Sequence, residues 1–213
     1  MKVKEESGLK VAEFLLQIKA IELNPETPFT WASGWKSPIY CDNRKSLSYP
    51  KIRTYIRQEF VNIIQERYGK PDVIVGVATG GIAKGALVAQ DLGLPFAYVR
   101  ASAKGHGLQN LVEGAVEAGQ NAVVIEDLVS TGKSSLNAVE ALKQEGLKVK
   151  GMVAIFTYGF DVALEQFEKA GVPLAVLTDY ETLMKQALKS GHVTDSQIEL
   201  LRSWRENPAE WGK

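Results

Sequence analysis

Cysteine is almost missing from this chain of 213 residues: Cys41 stands alone, and His106 and His192 are the only histidines. One cysteine cannot close an intramolecular disulfide or build a multi-cysteine zinc site, and two histidines cannot furnish a histidine-rich metal cage. Neither sign of charge is in excess, with 25 Lys plus Arg against 25 Asp plus Glu. No global positive field therefore exists to hold a nucleic-acid backbone, and any basic chemistry has to be local. Long apolar runs are missing too, since no window approaches the roughly 20 apolar residues that span a bilayer. Glu5 and Glu6 stand where an export signal needs an apolar stretch. A cytoplasmic protein is expected, with neither membrane nor nucleic acid as partner.

The chain is long enough, at 45% hydrophobic residues, to bury one substantial core with a small appended subdomain. Residues 9–21 carry apolar side chains at helical spacing, and residues 24–50 read as turns and short strands. Helical periodicity returns from Tyr49 to Tyr68, with Ile52, Ile56, Phe60, Ile63 and Ile64 on one side. Beyond the Gly69-Lys70-Pro71 break the texture changes to short runs of Val, Ile and aromatics at 73–78, 95–100, 122–127, 150–156 and 174–178. Helical stretches at 82–92, 132–145 and 160–170 separate them, and two more helices follow Asp179. Apolar strands alternating with helices predict an α/β fold whose central, mainly parallel sheet is covered on both faces.

The most informative segment runs from Val123 through Glu126, Asp127, Leu128, Val129, Ser130, Thr131, Gly132 and Lys133 to Ser134 and Ser135. Its apolar strand delivers two adjacent acids to the carboxyl end, where open α/β sheets bind ligands. Two neighbouring carboxylates are costly to bury unless hydroxyls, cations or water meet them. The small and hydroxylic residues that follow lead into a helix, so exposed backbone N–H groups and the helix N-terminus together make a phosphate-sized anion site. A solvated acidic turn with a capped helix is the bland alternative. A Walker A loop is excluded: Gly132-Lys133-Ser134 copies its last positions, but the glycine needed five residues before Gly132 is Asp127. A second turn, Gly76-Val77-Ala78-Thr79-Gly80-Gly81, does not have the G-x-G-x-x-G spacing of a dinucleotide site.

Apolar strand, two acids, two apolar residues and Ser-Thr-Gly resemble the phosphoribosyl pyrophosphate signature of type I phosphoribosyltransferases. The resemblance implies that Glu126 and Asp127 engage the ribose hydroxyls and that Ser130 to Ser134 cradle the 5′-phosphate. It also implies that the turn at Thr79 and Gly80 packs against the pyrophosphate. Many relatives have a lysine where this chain has Gly80, which leaves Lys84 as a nearby source of charge. Residues 99–114 lack a hydrophobic period and place Arg100, Lys104 and His106 close together between glycines. Such a loop can close over a diphosphate and present cations to a leaving group. It is similar to the catalytic loop of orotate phosphoribosyltransferases, which in that family reaches into the neighbouring site of a homodimer.

The N-terminal block Phe29-Thr30-Trp31-Ala32-Ser33-Gly34-Trp35-Lys36-Ser37-Pro38-Ile39-Tyr40-Cys41-Asp42-Asn43-Arg44 narrows the acceptor base. Orotate is a flat ring with a carboxylate, and it calls for apolar planes with a cation nearby. The block resembles the Ser-Gly-x-Lys-Ser-Pro region of orotate phosphoribosyltransferases, and the resemblance extends from about Phe29 to Phe156. Two positions depart from better-known relatives: Ala32 replaces a lysine, and Thr157-Tyr158-Gly159 stands where an arginine meets the orotate carboxylate. The expectation is one phosphoribosyltransferase domain with a core at about 70–178 and a hood from residues 1–50 and the C-terminal helices. The catalytic residues would be Asp127, Glu126, Lys104 and His106. Ser130 with Lys36 or Arg44 would bind orotate, and Mg²⁺ would be held mainly by the substrate. A homodimer with shared sites is expected. The alternatives are a phosphoribosyltransferase for a purine or another pyrimidine, or a regulator that senses phosphoribosyl pyrophosphate without catalysis.

Overall fold

A computed structural model describes residues 3–31, 34–102 and 111–211. Its centre is a six-stranded sheet built from β5 (Val73–Val77), β6 (Phe96–Val99), β7 (Val112–Glu113), β8 (Asn121–Val129), β9 (Lys148–Thr157) and β10 (Leu174–Asp179). The spatial order is β10-β9-β8-β5-β6-β7. Every pairing is parallel except that of the short edge strand β7 with β6. This is the α/β class that alternating strands and helices predict.

Strand alternation separates the two faces. Ile74, Val123, Ile125, Val153 and Ile155 join a core formed with α1 (Glu5–Gln17), α2 (Pro50–Arg67), α3 (Gly80–Leu92), α6 (Tyr180–Lys189) and α7 (Asp195–Glu206). Val73, Val75, Ala122, Val124, Met152 and Ala154 face the opposite way, toward α4 (Lys133–Gln144) and α5 (Asp161–Lys169). Both faces are covered, which is why these strands are apolar at nearly every position rather than at every second one. No helix among the described residues is long and apolar enough to cross a membrane.

The hood pairs β1 (Ile21–Leu23) with β4 (Ile39–Cys41) and β2 (Phe29–Thr30) with β3 (Lys36–Ser37), all antiparallel. A 3₁₀ turn at Asn43–Ser48 then leads into α2, which begins on Pro50. Three details differ from the sequence-based expectation. The first helix spans Glu5–Gln17 rather than 9–21, because Ile18 ends it and Ile21 instead takes a place in β1. Residues 43–48 form a 3₁₀ turn, since the Asp42 carboxylate caps the Arg44 N–H and starts a helical turn. Finally, β8 continues to Val129 beside β9, so the acids lie within a strand and four residues of ladder follow Ile125.

The C-terminal helix closes the seam between hood and sheet. Trp204 is fully buried and lies 5.6 Å between ring centres from both Trp31 of the hood and Tyr158 after β9. Its indole N–H donates to the Lys36 carbonyl at 3.2 Å. The neighbouring Arg205 donates to the carbonyls of Tyr158 at 2.9 Å and Gly159 at 3.0 Å and pairs with Glu181 at 3.3 Å.

Candidate active site

Loops following β5, β6, β8 and β9 emerge at one edge of the sheet, as parallel pairing requires. In the order β10-β9-β8-β5-β6-β7 the chain runs outward in both directions from β5 and β8, and the crevice at such a switch point is the ligand position of open α/β sheets. Glu126 and Asp127 stand at this crevice.

Adjacent side chains on a strand project to opposite faces, and the two acids therefore have different surroundings. Glu126 points toward α4 and is 5% exposed. The Ser135 hydroxyl donates to its Oε2 at 3.0 Å, and the Asp127 N–H donates to its Oε1 at 2.9 Å. Burial first, and the adjacent Asp127 charge second, push the Glu126 carboxyl up to about 8, so it carries a proton at neutral pH. Asp127 is half-buried and faces the start of α3. A Cβ at residue 80 would run into the Asp127 carboxylate, and one at residue 81 would run into the Ile125 carbonyl. The paired glycines let the first turn of α3 lie directly against β8.

From above, Asn43 of the hood is 1% exposed and donates to the Asp127 carbonyl at 2.6 Å. Lys84, one turn into α3, is 4% exposed, with its Nζ 3.5 Å from the Gly80 carbonyl. The sequence offered Lys84 only as a nearby charge, and it placed Asn43 and Ser135 in informative segments without assigning either a role.

After Leu128 and Val129 the chain turns through Ser130, Thr131 and Gly132 into α4, with Lys133 and Ser134 in the first helical turn. Gly132 has φ +84, and a Cβ there would crowd the Phe167 ring at 3.2 Å. The first N–H groups of an α-helix lack intrahelical acceptors, so this turn presents donors to an anion. Thr79 and Gly80 form the opposing turn after β5. Arg100, at the end of β6, lies 3.6 Å from Glu113 and lines a cavity of about 450 Å³ with Ala78 and Ser134. Lys104 and His106, expected on the loop beyond it, lie outside the described residues.

A second cavity of about 310 Å³ opens between hood and sheet, lined by Thr30, Trp31, Tyr40, Cys41, Leu128, Ser130 and Tyr158. Trp31 and Tyr158 are 5.3 Å apart between ring centres, which gives the cavity aromatic walls suited to a flat base. Burial and the charges of Asp127 and Asp42 raise the Cys41 thiol, so it remains protonated. Ser130 lines this cavity. Lys36 is next to it rather than in it, donating to the Thr30 hydroxyl at 2.9 Å. Arg44 is held by Asp42 at 2.7 Å, and that bond holds the Asp42 carboxyl below the usual range. Where the sequence left residues 157–159 without a cation, Arg205 approaches from α7, although its fork is engaged by the two backbone carbonyls and Glu181.

Glu126 makes stability pH-dependent. The native chain retains a proton that the unfolded chain releases between about pH 4.5 and 8. This contribution is full below that window and is lost as the pH rises through it. Glu126→Gln keeps a neutral side chain at all pH values. Denaturant unfolding from about pH 5 to pH 9 should show the wild type losing on the order of a few kcal/mol relative to the variant. Parallel profiles would mean that Glu126 is already ionised in the native site.

The phosphoribosyl transferase domain model matches residues 47–173. The orotate phosphoribosyltransferases of Phocaeicola vulgatus and Porphyromonas gingivalis are each 56% identical to the chain, covering 94% and 96% of it and 94% and 98% of their own lengths. That of Listeria monocytogenes is 50% identical over 96% of this chain and 98% of its own. Among solved structures, the orotate phosphoribosyltransferase of Aeropyrum pernix has a TM-score of 0.76 at 28% identity, covering 86% of this chain and 99% of that one. The UMP synthase of Leishmania donovani has a TM-score of 0.80 at 26% identity, over 93% of this chain and 42% of that one. A domain match across more than half of the residues, together with relatives of this identity along almost the whole length, makes the chain a member of the orotate phosphoribosyltransferase family.

Proposed function

We propose that the chain transfers the phosphoribosyl group of phosphoribosyl pyrophosphate to N1 of orotate, giving orotidine 5′-phosphate and pyrophosphate. The observation that carries this reading is one strand, β8, whose end borders three differently shaped features. Asp127 offers a carboxylate, residues 130–134 offer an anion turn, and Leu128 and Ser130 enter the aromatic cavity. A ribose phosphate and a flat base joined at one anomeric carbon need these three in that order.

The residues then divide the work. The turn from Ser130 to Ser134 holds the 5′-phosphate, and Thr79 and Gly80 offer backbone to the diphosphate. Glu126, buried against the first turn of α4, fixes the Asp127 backbone. Asp127 places negative charge near the ribose as pyrophosphate departs and positive charge grows on the sugar. Arg100, Lys104 and His106 meet the leaving diphosphate. Among the described residues no group of three or more His, Cys, Asp or Glu stands together as a metal cage. Mg²⁺ suits such a site, because it keeps several waters and takes substrate phosphate oxygens as ligands. Asp127 would be the residue of this chain that helps the substrate hold it, and the ion would supply charge neutralisation at the leaving group. A cytoplasmic location accompanies this biosynthetic role.

Loss of orotate absorbance on adding phosphoribosyl pyrophosphate and Mg²⁺ is the direct assay, and adenine, hypoxanthine and uracil in place of orotate distinguish the rival transferases. Asp127→Asn should lower kcat roughly a hundredfold with a smaller change in the KM for phosphoribosyl pyrophosphate. Consumption of another base, or a variant changed only in KM, contradicts the assignment.

The orotate carboxylate requires a counter-charge, and Lys36 is the better placed of the two hood cations because it already touches the cavity wall through Thr30. Lys36→Met should raise the orotate KM by about tenfold, whereas Arg44→Met, whose guanidinium is occupied by Asp42, should change it less. Equal orotate saturation in wild type and both variants would transfer the role to Ser130 and backbone amides.

The active unit is a homodimer in which Lys104 of one chain serves Asp127 of the other, the arrangement common to two-fold oligomers with a shared site. Lys104→Ala and Asp127→Asn, each nearly inactive, should recover about a quarter of wild-type activity when refolded together, because random pairing makes about half the dimers mixed and each has one intact site. A mixture that forms mixed dimers by tag pull-down but stays inactive would assign Lys104 to its own chain.

A further inference from the structure

Lysine ammonium groups normally reach solvent even when the stem is covered, yet Lys84 is 4% exposed on the second turn of α3. Among the described residues its one hydrogen bond is a long one, 3.5 Å to the Gly80 carbonyl of its own helix. Among the described residues no carboxylate forms a contact ion pair with it. An ammonium kept this dry is costly, and an apolar side chain of the same length would fill the space at less cost to stability. Its position suggests what offsets that cost.

Residue 80 is the common neighbour. The Asp127 carboxylate occupies the space that a Cβ of residue 80 would need, and the Gly80 carbonyl is the acceptor for Lys84. Carboxylate and ammonium therefore both lie against residue 80. The Asp127 backbone is independently fixed, because the buried Asn43 amide donates to its carbonyl at 2.6 Å while the Asn43 Oδ1 has no partner. What remains adjustable is the direction of the Asp127 side chain. Among the described residues no cation pairs with Glu126, which is met by Ser135 and the Asp127 N–H.

We propose that Lys84 is a positioning residue of the active site, a buried cation that draws the Asp127 carboxylate over Gly80 and keeps it directed toward the ribose. The proposal rests on the catalytic role given to Asp127 above. The charges around Lys84 agree with it. Burial lowers its ammonium, while Asp127 first and Asp42 second raise it, with Arg44 opposing and Cys41 adding a small contribution. The same geometry explains why a cation cannot be supplied from residue 80 itself: any side chain there displaces the acid it would serve.

The test is a double-mutant cycle on the full-length enzyme, with Lys84→Met, Asp127→Asn and the double variant, and with Lys84→Arg as the charge-retaining control. Lys84→Met should melt at or above the wild-type temperature, because an underpaired buried charge has been removed. Its kcat should nevertheless fall by roughly 10–100-fold, with the orotate KM within about twofold. Lys84→Arg should recover part of that loss. Added to Asp127→Asn, Lys84→Met should cost less than about threefold, since the group it positions is already neutral. Equal losses in both backgrounds overturn the positioning role alone, as does a Lys84→Met protein that melts well below the wild type. Normal turnover in Asp127→Asn overturns the catalytic reading of Asp127 and, with it, this role of Lys84.

Discussion

Two neighbouring acids on one strand repel each other when both are charged, and the site depends on how this chain separates them. Strand alternation turns Glu126 toward the first turn of α4 and Asp127 toward the first turn of α3. Each acid thus meets the start of a different helix on a different face of the sheet. Glu126 is sealed in, where burial raises its carboxyl, and Asp127 is left half-buried at the ligand crevice.

This separation requires close approach, and the glycines on the α3 side supply it. Gly80 and Gly81 bring the helix start against the strand with no room for a Cβ. The hood adds the remaining constraint, with Asn43 bonded to the Asp127 carbonyl. Trp204 and Arg205 then fasten the hood and the segment after β9 to the C-terminal helix. The aromatic cavity is built at that same seam from Trp31, Tyr40, Leu128 and Tyr158. The aromatic cavity and the carboxylate pair are consequently coupled through β8, which contributes Leu128 to one and Asp127 to the other.

Much of this was legible in the sequence because it is local. Buried strands such as Val73–Val77 announce themselves as apolar runs between turns, and the acids with their following Ser-Thr-Gly lie within ten residues of one another. The helix face of α2 was readable from Ile52, Ile56, Phe60 and Ile64, all of them buried. Contacts across long separations were not readable: Asn43 meets Asp127 over 84 residues and Arg205 meets Tyr158 over 47. Ile21 continued a helical spacing by coincidence and belongs to a strand because Cys41 pairs with it. Val112–Glu113 is too short to carry a period, and its strand character comes from the edge of β6. The unequal burial of the two acids was also invisible, since adjacent carboxylates acquire different surroundings only in the folded sheet.

That inequality is open to direct observation. Carboxyl carbons of glutamate can be labelled with ¹³C, and the Glu126 resonance can be assigned by its loss in a Glu126→Gln sample and followed by NMR across a pH titration. A resonance that stays in the protonated position through neutrality and titrates near pH 8 is the predicted result. A resonance already ionised by about pH 5, like that of an exposed glutamate, would contradict the account.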